Sequence, residues 1–258
     1  MTEELAEPGG KVRLFVEPSL NAGAIVTPDD GQAHYLLHVM RAKAGDHISL
    51  FNGRDGEWLA RVDSVSKRAL SLVCEKQTGR QIDVPDLWLL FAPIKKTPAD
   101  YLVQKSTELG VSVLQPVFTR RTIVSRVNME RLRANAIEAA EQSGRVSVPD
   151  CREPIDLDKL LAALPKDRKL IFADEVGADA NAPGGRVDMM IDALLDMPER
   201  AKYAILIGPE GGFDPAERDM IRALPNVVPV ALGPRILRAD TAALAALAIW
   251  QSVWGDWR

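Results

Sequence analysis

The chain has few of the residues that announce a disulfide scaffold or a metal centre, and no long apolar run. Its 258 residues hold two cysteines, Cys74 and Cys151, far apart in sequence. That count provides neither a disulfide framework nor the paired spacing of a zinc site. Of the three histidines, His34 and His38 stand at i and i+4; the spacing could bind metal, but the pattern offers no third ligand and no metal is expected. The longest apolar run, Ala242 to Trp250, is far short of the roughly 20 residues a bilayer requires, so no membrane partner is expected. The acidic opening Met1-Thr2-Glu3-Glu4 has no basic stretch ahead of an apolar one, which leads to an expectation of the reducing cytosol rather than export. Also missing are G-x-G-x-x-G, a Walker loop, G-x-S-x-G and paired C-x-x-C. Dehydrogenases of the nucleotide fold, NTPases, serine hydrolases and zinc enzymes thus lack their usual markers.

What is present divides into two patterns. A chain of this length exceeds a usual single domain, so two domains are expected, each with a core. Up to Glu75 the pattern is mostly short strands, over Val12–Val16, His47–Phe51, Glu57–Val65 and Ala69–Cys74, with Asn52-Gly53-Arg54-Asp55-Gly56 as a hairpin turn. These predict a small β-barrel, with Gly31–Arg41 as a helix. From Pro85 onward strands alternate with helices: Leu87–Ala92, Thr97–Leu109, Val111–Val117, Asn128–Gln142, Leu170–Ala173, Tyr203–Ile207, Asp214–Ala223, Val227–Leu232 and Asp240–Trp254. Such alternation implies a parallel sheet with helices on its faces. The boundary falls near residues 76–86, giving domains over 1–80 and 81–258. Thr97-Pro98-Ala99-Asp100 reads as a helix start and Gly110 as its stop, while 177–186, rich in Ala and Gly, reads as a flexible loop.

Two late segments carry the functional signal: Ile207-Gly208-Pro209-Glu210-Gly211-Gly212-Phe213-Asp214 and Leu232-Gly233-Pro234-Arg235-Ile236-Leu237-Arg238. Each follows an apolar run and precedes a helix start, so both lie at strand ends, where α/β proteins place ligands. Gly211 and Gly212 lack β-carbons where the chain turns sharply or a ligand approaches its amides. Asp214, Pro215 and Glu217 then read as N-cap, first helical residue and capping-box partner; Asp240 reads as the cap of the last helix. Arg235 and Arg238, confined between apolar stretches, are either site residues or solvated charges. The last helix has apolar lines through Leu244, Leu247 and Ala248 and through Ala243, Leu247, Trp250 and Trp254. A helix apolar on more than one side needs a second burial surface, in a central core or against another chain.

Charge adds a partner class. The chain carries a net charge of -4, but 92–145 holds nine basic residues against five acidic ones, a local balance of +4. A locally basic face on an acidic protein fits selective docking to nucleic acid as well as it fits an ordinary mixed surface.

The two late segments, followed by Thr241-Ala242, resemble the RsmE family of 16S ribosomal RNA uracil-N3 methyltransferases, in the SPOUT superfamily of knotted enzymes that use S-adenosylmethionine. Further matches are Gln104-Lys105-Ser106-Thr107-Glu108-Leu109-Gly110-Val111, Glu141-Gln142-Ser143-Gly144-Arg145, Arg13-Leu14-Phe15-Val16, and His34-Tyr35-Leu36 with Val39-Met40-Arg41. They span nearly the whole chain in family order; 174–200 matches nothing, and Asp240 stands where the family usually has glutamate. The resemblance implies an α/β fold, with a C-terminal SPOUT-type parallel sheet carrying a trefoil knot and a small N-terminal PUA-like β-barrel that binds RNA. It also implies a cytoplasmic homodimer acting on 16S rRNA within the small ribosomal subunit. S-adenosylmethionine would lie among Phe172, Ala173, Ile207, Gly208, Pro209, Glu210, Gly211, Gly212, Leu232, Gly233, Ile236, Leu237, Thr241 and Ala242. Arg235 and Arg238 would be catalytic, and Arg13, Arg41, Lys95, Lys96, Lys105, Arg120, Arg121 and Arg145 would meet RNA. The base that removes the N3 proton stays open among Glu210, Asp240 and Glu108. Two rival functions fit the same residues: a SPOUT methyltransferase acting on another RNA position, and a non-catalytic RNA-binding assembly factor.

Overall fold

The computed structural model describes residues 12–174, 187–199 and 201–257, with the side chains of Lys96 and Thr97 excepted. The loop expected over 177–186 and the RNA-contact role of the Lys96 side chain lie outside the described residues. The chain divides into two units, Met1–Asp83 with Ala140–Val148, and Val84–Ala139 with Pro149–Arg258.

The first unit contains β1 (Arg13–Phe15), β2 (Ile25–Val26), α1 (Asp30–His34), β3 (His47–Phe51), β4 (Glu57–Val65) and β5 (Leu70–Gly79). They form a five-stranded sheet in the order β1-β3-β4-β5-β2, parallel only between β1 and β3. Alternation sets the faces: Ala60 and Val62 of β4 enter a core with Leu14, Leu36, Ile48, Leu50, Leu72 and Cys74. Arg61, between them, pairs outward with Glu75. The hairpin turn forms as the sequence predicts, because Asn52 Oδ1 accepts the amides of Arg54 and Asp55 at 3.0 and 2.9 Å. The expected helix over 31–41 is shorter: α1 ends at His34 and the chain continues as one π-helical turn, Tyr35–Val39. Its start is an Asp29–Gln32 capping box that the sequence reading passes over.

Arg13, one of the residues expected to meet RNA, is tied inward in this unit. Within this unit Nε donates to Glu57 Oε2, Nη1 to the carbonyls of Ala140 and Glu141, and Nη2 to that of Arg145, while Nη2 also lies 2.8 Å from Glu57 Oε2. Its guanidinium lies 4.7 Å from the centre of the Phe51 ring. With its side chain 16 % exposed, Arg13 acts as an internal strut.

The second unit holds β6 (Leu87–Phe91), α2 (Lys96–Glu108), β7 (Val113–Phe118), α3 (Met129–Ser143), β8 (Asp150–Cys151), β9 (Ile155–Asp156), α4 (Leu157–Ala163), β10 (Arg168–Ala173), α5 (Met190–Leu195), β11 (Lys202–Ile207), α6 (Pro215–Arg222), β12 (Val227–Val230) and α7 (Ala239–Trp254). These are the nine expected elements and four that the sequence does not announce, β8, β9, α4 and α5. The last residues of α3 are counted with the first unit. The sheet runs β12-β10-β11-β6-β7-β8, all parallel, and β9 pairs with β7. Leu87, Leu89, Leu90, Leu170, Ile171, Phe172, Ala204, Ile205 and Leu206 are all fully buried. Successive residues of a strand point to opposite faces, so burial of consecutive positions means that both faces are covered. Leu102 and Val103 of α2 and Ala243, Ala246, Leu247 and Trp250 of α7 are also buried.

Two helix starts differ from the sequence reading. Helix α2 begins at Lys96 with Lys95 as cap, so Pro98 sits inside the first turn. Its missing N–H costs little there, since first-turn amides have no helical acceptor. Helix α7 begins at Ala239 with Arg238 in the cap position and no side-chain cap. Asp240 lies in the first turn and accepts the amide of Thr241 at 2.8 Å, so its carboxylate acts on the positive helix end rather than as the cap. The reading of Gly110 holds: it adopts a φ of 80° just past α2.

Two outcomes test this packing. Arg13→Met strands Glu57 in a half-dry pocket and should lower the unfolding free energy by roughly 3 kcal/mol in urea melts; an unchanged midpoint would show that the strut carries no load. Burial pushes the Cys74 thiol up to about 11. At pH 8, Cys74 should therefore resist a thiol reagent in the folded chain and react once urea exposes it, as read by peptide mass.

Candidate active site

The site grows out of the register of three neighbouring strands. Phe172 of β10 lies opposite Leu206 of β11 and Pro229 of β12. The three strands therefore end side by side, and the segments that leave β11 and β12 emerge at the same edge. Between them lies a cavity of about 480 Å³, lined by Ala173, Asp174, 207–210, Gly212, Phe213, 230–239 and Ala242.

Each wall has a local cause. On the first, Pro209 C=O accepts Gly212 N–H at 2.9 Å, closing a tight turn in which Gly212 takes a φ of 67°. Gly208 is required for another reason: a β-carbon there would lie 2.5 Å from Phe213 Cε2, and the Phe213 ring packs edge-on against Phe172 at 5.1 Å. The segment stops at α6, where Asp214 accepts Ala216 N–H and Glu217 returns to Asp214 N–H, with Pro215 at the start.

The turn that follows β7 braces this wall from behind. Arg120 N–H donates to Glu217 Oε1 at 2.8 Å and its guanidinium pairs with Asp214 at 2.8 Å. Arg121 Nη1 donates to the Gly211 carbonyl at 3.0 Å. Both arginines stay exposed, so they hold the loop without losing access to solvent.

At the floor, Asp174 follows β10 directly, with a side chain 2 % exposed. It receives Arg218 Nε at 2.9 and 3.0 Å and Arg222 Nε at 2.9 Å. The two arginines are i and i+4 on α6, so one face of that helix is tied to the strand end. At the rim, Arg235, Ile236 and Arg238 are exposed, Ile236 at 84 %.

Of the residues expected around the cofactor, eleven line this cavity: Ala173, Ile207, Gly208, Pro209, Glu210, Gly212, Leu232, Gly233, Ile236, Leu237 and Ala242. Arg235 and Arg238 line it as well. Phe172, Gly211 and Thr241 are not part of the lining: Phe172 is fully buried beneath it, Gly211 backs onto Arg121, and Thr241 is exposed on α7. Phe213 and Pro234, within the two glycine-bearing segments, line it too, and Asp174, Val230, Ala231 and Ala239 do so without having been anticipated. For Asp174 the available signal was a carboxylate closing an apolar strand.

Of the residues expected to meet RNA, Arg41 is exposed in the first unit with a left-handed φ of 56°, and the Arg145 side chain is half-buried, donating to Ser147 at 3.4 Å. In the second unit Lys95 is exposed, and Lys105 pairs with Glu108 at 2.7 Å. Among the described residues no cluster of three metal-ligating side chains occurs, and no helix is long and apolar enough to cross a membrane. The rings of His34 and His38 contact each other at 4.7 Å.

Residues 81–251, which hold this parallel sheet and its edge cavity, match the RNA methyltransferase domain family, and residues 28–74 match the RNA methyltransferase PUA domain family. The ribosomal RNA small subunit methyltransferase E of Rickettsia conorii is 31 % identical over 92 % of this chain and 93 % of its own length. That of Bacillus subtilis is 29 % identical over 84 % and 85 %. The crystal structure of the Neisseria gonorrhoeae ribosomal RNA small subunit methyltransferase E, bound to S-adenosyl methionine, superposes with a TM-score of 0.80 at 28 % identity, covering 96 % of this chain and 99 % of that one. The chain belongs to the RNA methyltransferase family, in the branch of the ribosomal RNA small subunit methyltransferase E proteins.

Replacing Asp174 by Ala strips the acceptor from two arginines at the cavity floor. Stability should fall by roughly 3 kcal/mol or more, and the triple change Asp174→Leu, Arg218→Met, Arg222→Met should recover most of it. Thermal melts of both variants decide, and failure of the triple change to recover would point to a role beyond charge balance.

Proposed function

We propose that this chain transfers a methyl group from S-adenosylmethionine to N3 of a uracil in 16S rRNA. The observation that carries the reading is the cavity at the ends of β10, β11 and β12, in a chain that belongs to this family over nearly its whole length. Its volume of about 480 Å³ lies within the roughly 300–1,000 Å³ of small-molecule pockets. Its walls suit the donor: Leu232 and Leu237 offer apolar surface for a purine face, and the main chain of 207–212 and 232–238 offers amides and carbonyls for its edge. When bound, S-adenosylmethionine supplies an electrophilic methyl group on a sulfonium centre.

The chain's own residues then have two tasks. One is positioning, since the uracil N3 must lie in line with the methyl group. The turn held by Arg120 and Arg121 and the floor tied by Asp174 keep the walls rigid for it. The other is electrostatic: Arg235 and Arg238, at the rim, balance negative charge on the uracil carbonyl oxygens as N3 gives up its proton. Leu232, Leu237, Phe213 and Ala242 keep water from a step in which charge is lost.

In this reading residues 1–80 form the RNA-binding domain and 81–258 the catalytic one, and Arg41, Lys95, Arg120 and Arg121 contact phosphates. The knot expected from the resemblance belongs to the same proposal. So does a homodimer, supported by the incompletely covered Leu244, Ala245, Ala248 and Ile249 on α7. Two free cysteines fit the reducing cytoplasm.

The test is a deletion strain whose small-subunit RNA is mapped by mass. One N3-methyluridine should vanish and return with the gene; loss of a different methylated nucleotide would favour another RNA position. Arg235→Lys and Arg238→Lys should each lower the saturated turnover rate, by about 10²-fold for the arginine nearer the uracil oxygen. A loss confined to RNA affinity would reassign them to phosphate binding.

A further inference from the structure

We infer that Glu210 is the general base that takes the N3 proton, an assignment that rests on the methyl transfer proposed above. Uracil N3 carries hydrogen, and its lone pair becomes available in the ring plane only when that proton leaves. A proton acceptor is therefore needed at the mouth of the cavity. Among the described residues that line it, two are carboxylates, Asp174 and Glu210, and none is His, Cys, Lys or Tyr.

The other acids are committed elsewhere. Asp174 is buried and turned toward Arg218 and Arg222. Asp214 and Glu217 close the α6 capping box and hold Arg120. Asp240, a candidate by sequence, is outside the lining and accepts the amide of Thr241. Glu108, the other candidate, pairs with Lys105 and is also outside it.

Glu210 has the required placement. It occupies the tip of the turn closed by Gly212 N–H on Pro209 C=O, so the backbone, not its carboxylate, holds the turn together. It is exposed. It also lines two depressions at once: the large cavity, and a small cleft with Pro93, Ile94, Lys95, Arg121, Ile123 and Val124. Glu210 therefore stands between the cavity and two cations, Lys95 and Arg121, whose charge suits the phosphates of a nucleotide placed at the cavity mouth. The Arg121 contact to the Gly211 carbonyl fixes the peptide next to it.

The step balances as follows. The N3–H bond breaks and its proton goes to a Glu210 carboxylate oxygen; the pair left on N3 forms the N–CH3 bond, and the S–CH3 pair returns to sulfur, leaving a neutral thioether. Exposure lets Glu210 return the proton to solvent for the next turnover.

The experiment uses the full-length protein, small ribosomal subunits lacking the methyl group, and S-adenosylmethionine. Single-turnover rates are followed against pH for the wild type, Glu210→Gln and Glu210→Asp, with calorimetric affinity for S-adenosylmethionine and thermal melting as controls. Glu210→Gln should lose about 10²–10⁴-fold in rate while keeping its melting point and its affinity for the methyl donor. Its remaining rate should climb about tenfold per pH unit as uracil ionises in solution, where the wild type has levelled off. Glu210→Asp should recover part of the loss. A Gln variant within about threefold of wild type, or a loss matched by weaker donor binding, would overturn the assignment. A wild type that forms no N3-methyluridine would overturn the function itself instead.

Discussion

The parallel pairing of β10 between β11 and β12 is the constraint on which the site depends. Without it, the segments after Ile207 and after Ala231 would be two unrelated bends. With Phe172 in register with both Leu206 and Pro229, they become facing walls. The pairing is held by burial on both sheet faces, where each large side chain removed from water contributes on the order of 2 kcal/mol. It is also held by a polar tie at its end, since Asp174 N–H donates to Val230 C=O while its carboxylate secures α6. The cavity is thus a by-product of where three apolar strands stop.

Rigidity near the cavity comes from groups that look like surface charges in sequence. Arg120, Arg121, Asp214 and Glu217 form a bracket behind the 207–212 turn, in which a backbone amide, a carbonyl and two carboxylates are each satisfied. As exposed ion pairs they contribute little to global stability. Their effect is geometric: they restrict the turn that carries Glu210. The rim is the opposite case, because Arg235, Ile236 and Arg238 are exposed. A rigid wall opposite an adaptable rim suits a site that must hold a small donor and admit a macromolecule.

Legibility followed the range of the interaction. The α6 capping box, the stop at Gly110 and the 52–56 hairpin were readable because their partners lie within a few residues. The apolar strands were readable because period and composition report burial on one or both faces. The start of α7 was misread: Asp240 is a good cap by type, but extended backbone at Arg238 begins the helix before it. The two-residue strands β8 and β9 escaped because so short a segment has no period. The inward ties of Arg13 were not readable because its partners lie 44 to 132 residues away.

By itself, then, the sequence determined the nine longer strands and helices after Pro85 and the two glycine-bearing segments. It did so because these follow from local propensity, period and motif. Only the tertiary structure decided which strands are neighbours, and so which loops share a cavity. It alone decided which acids near the cavity are spent on arginines and caps, and that Glu210 lines it with its carboxylate exposed. That last distinction depends on contacts between residues far apart in the chain, which composition and spacing do not encode.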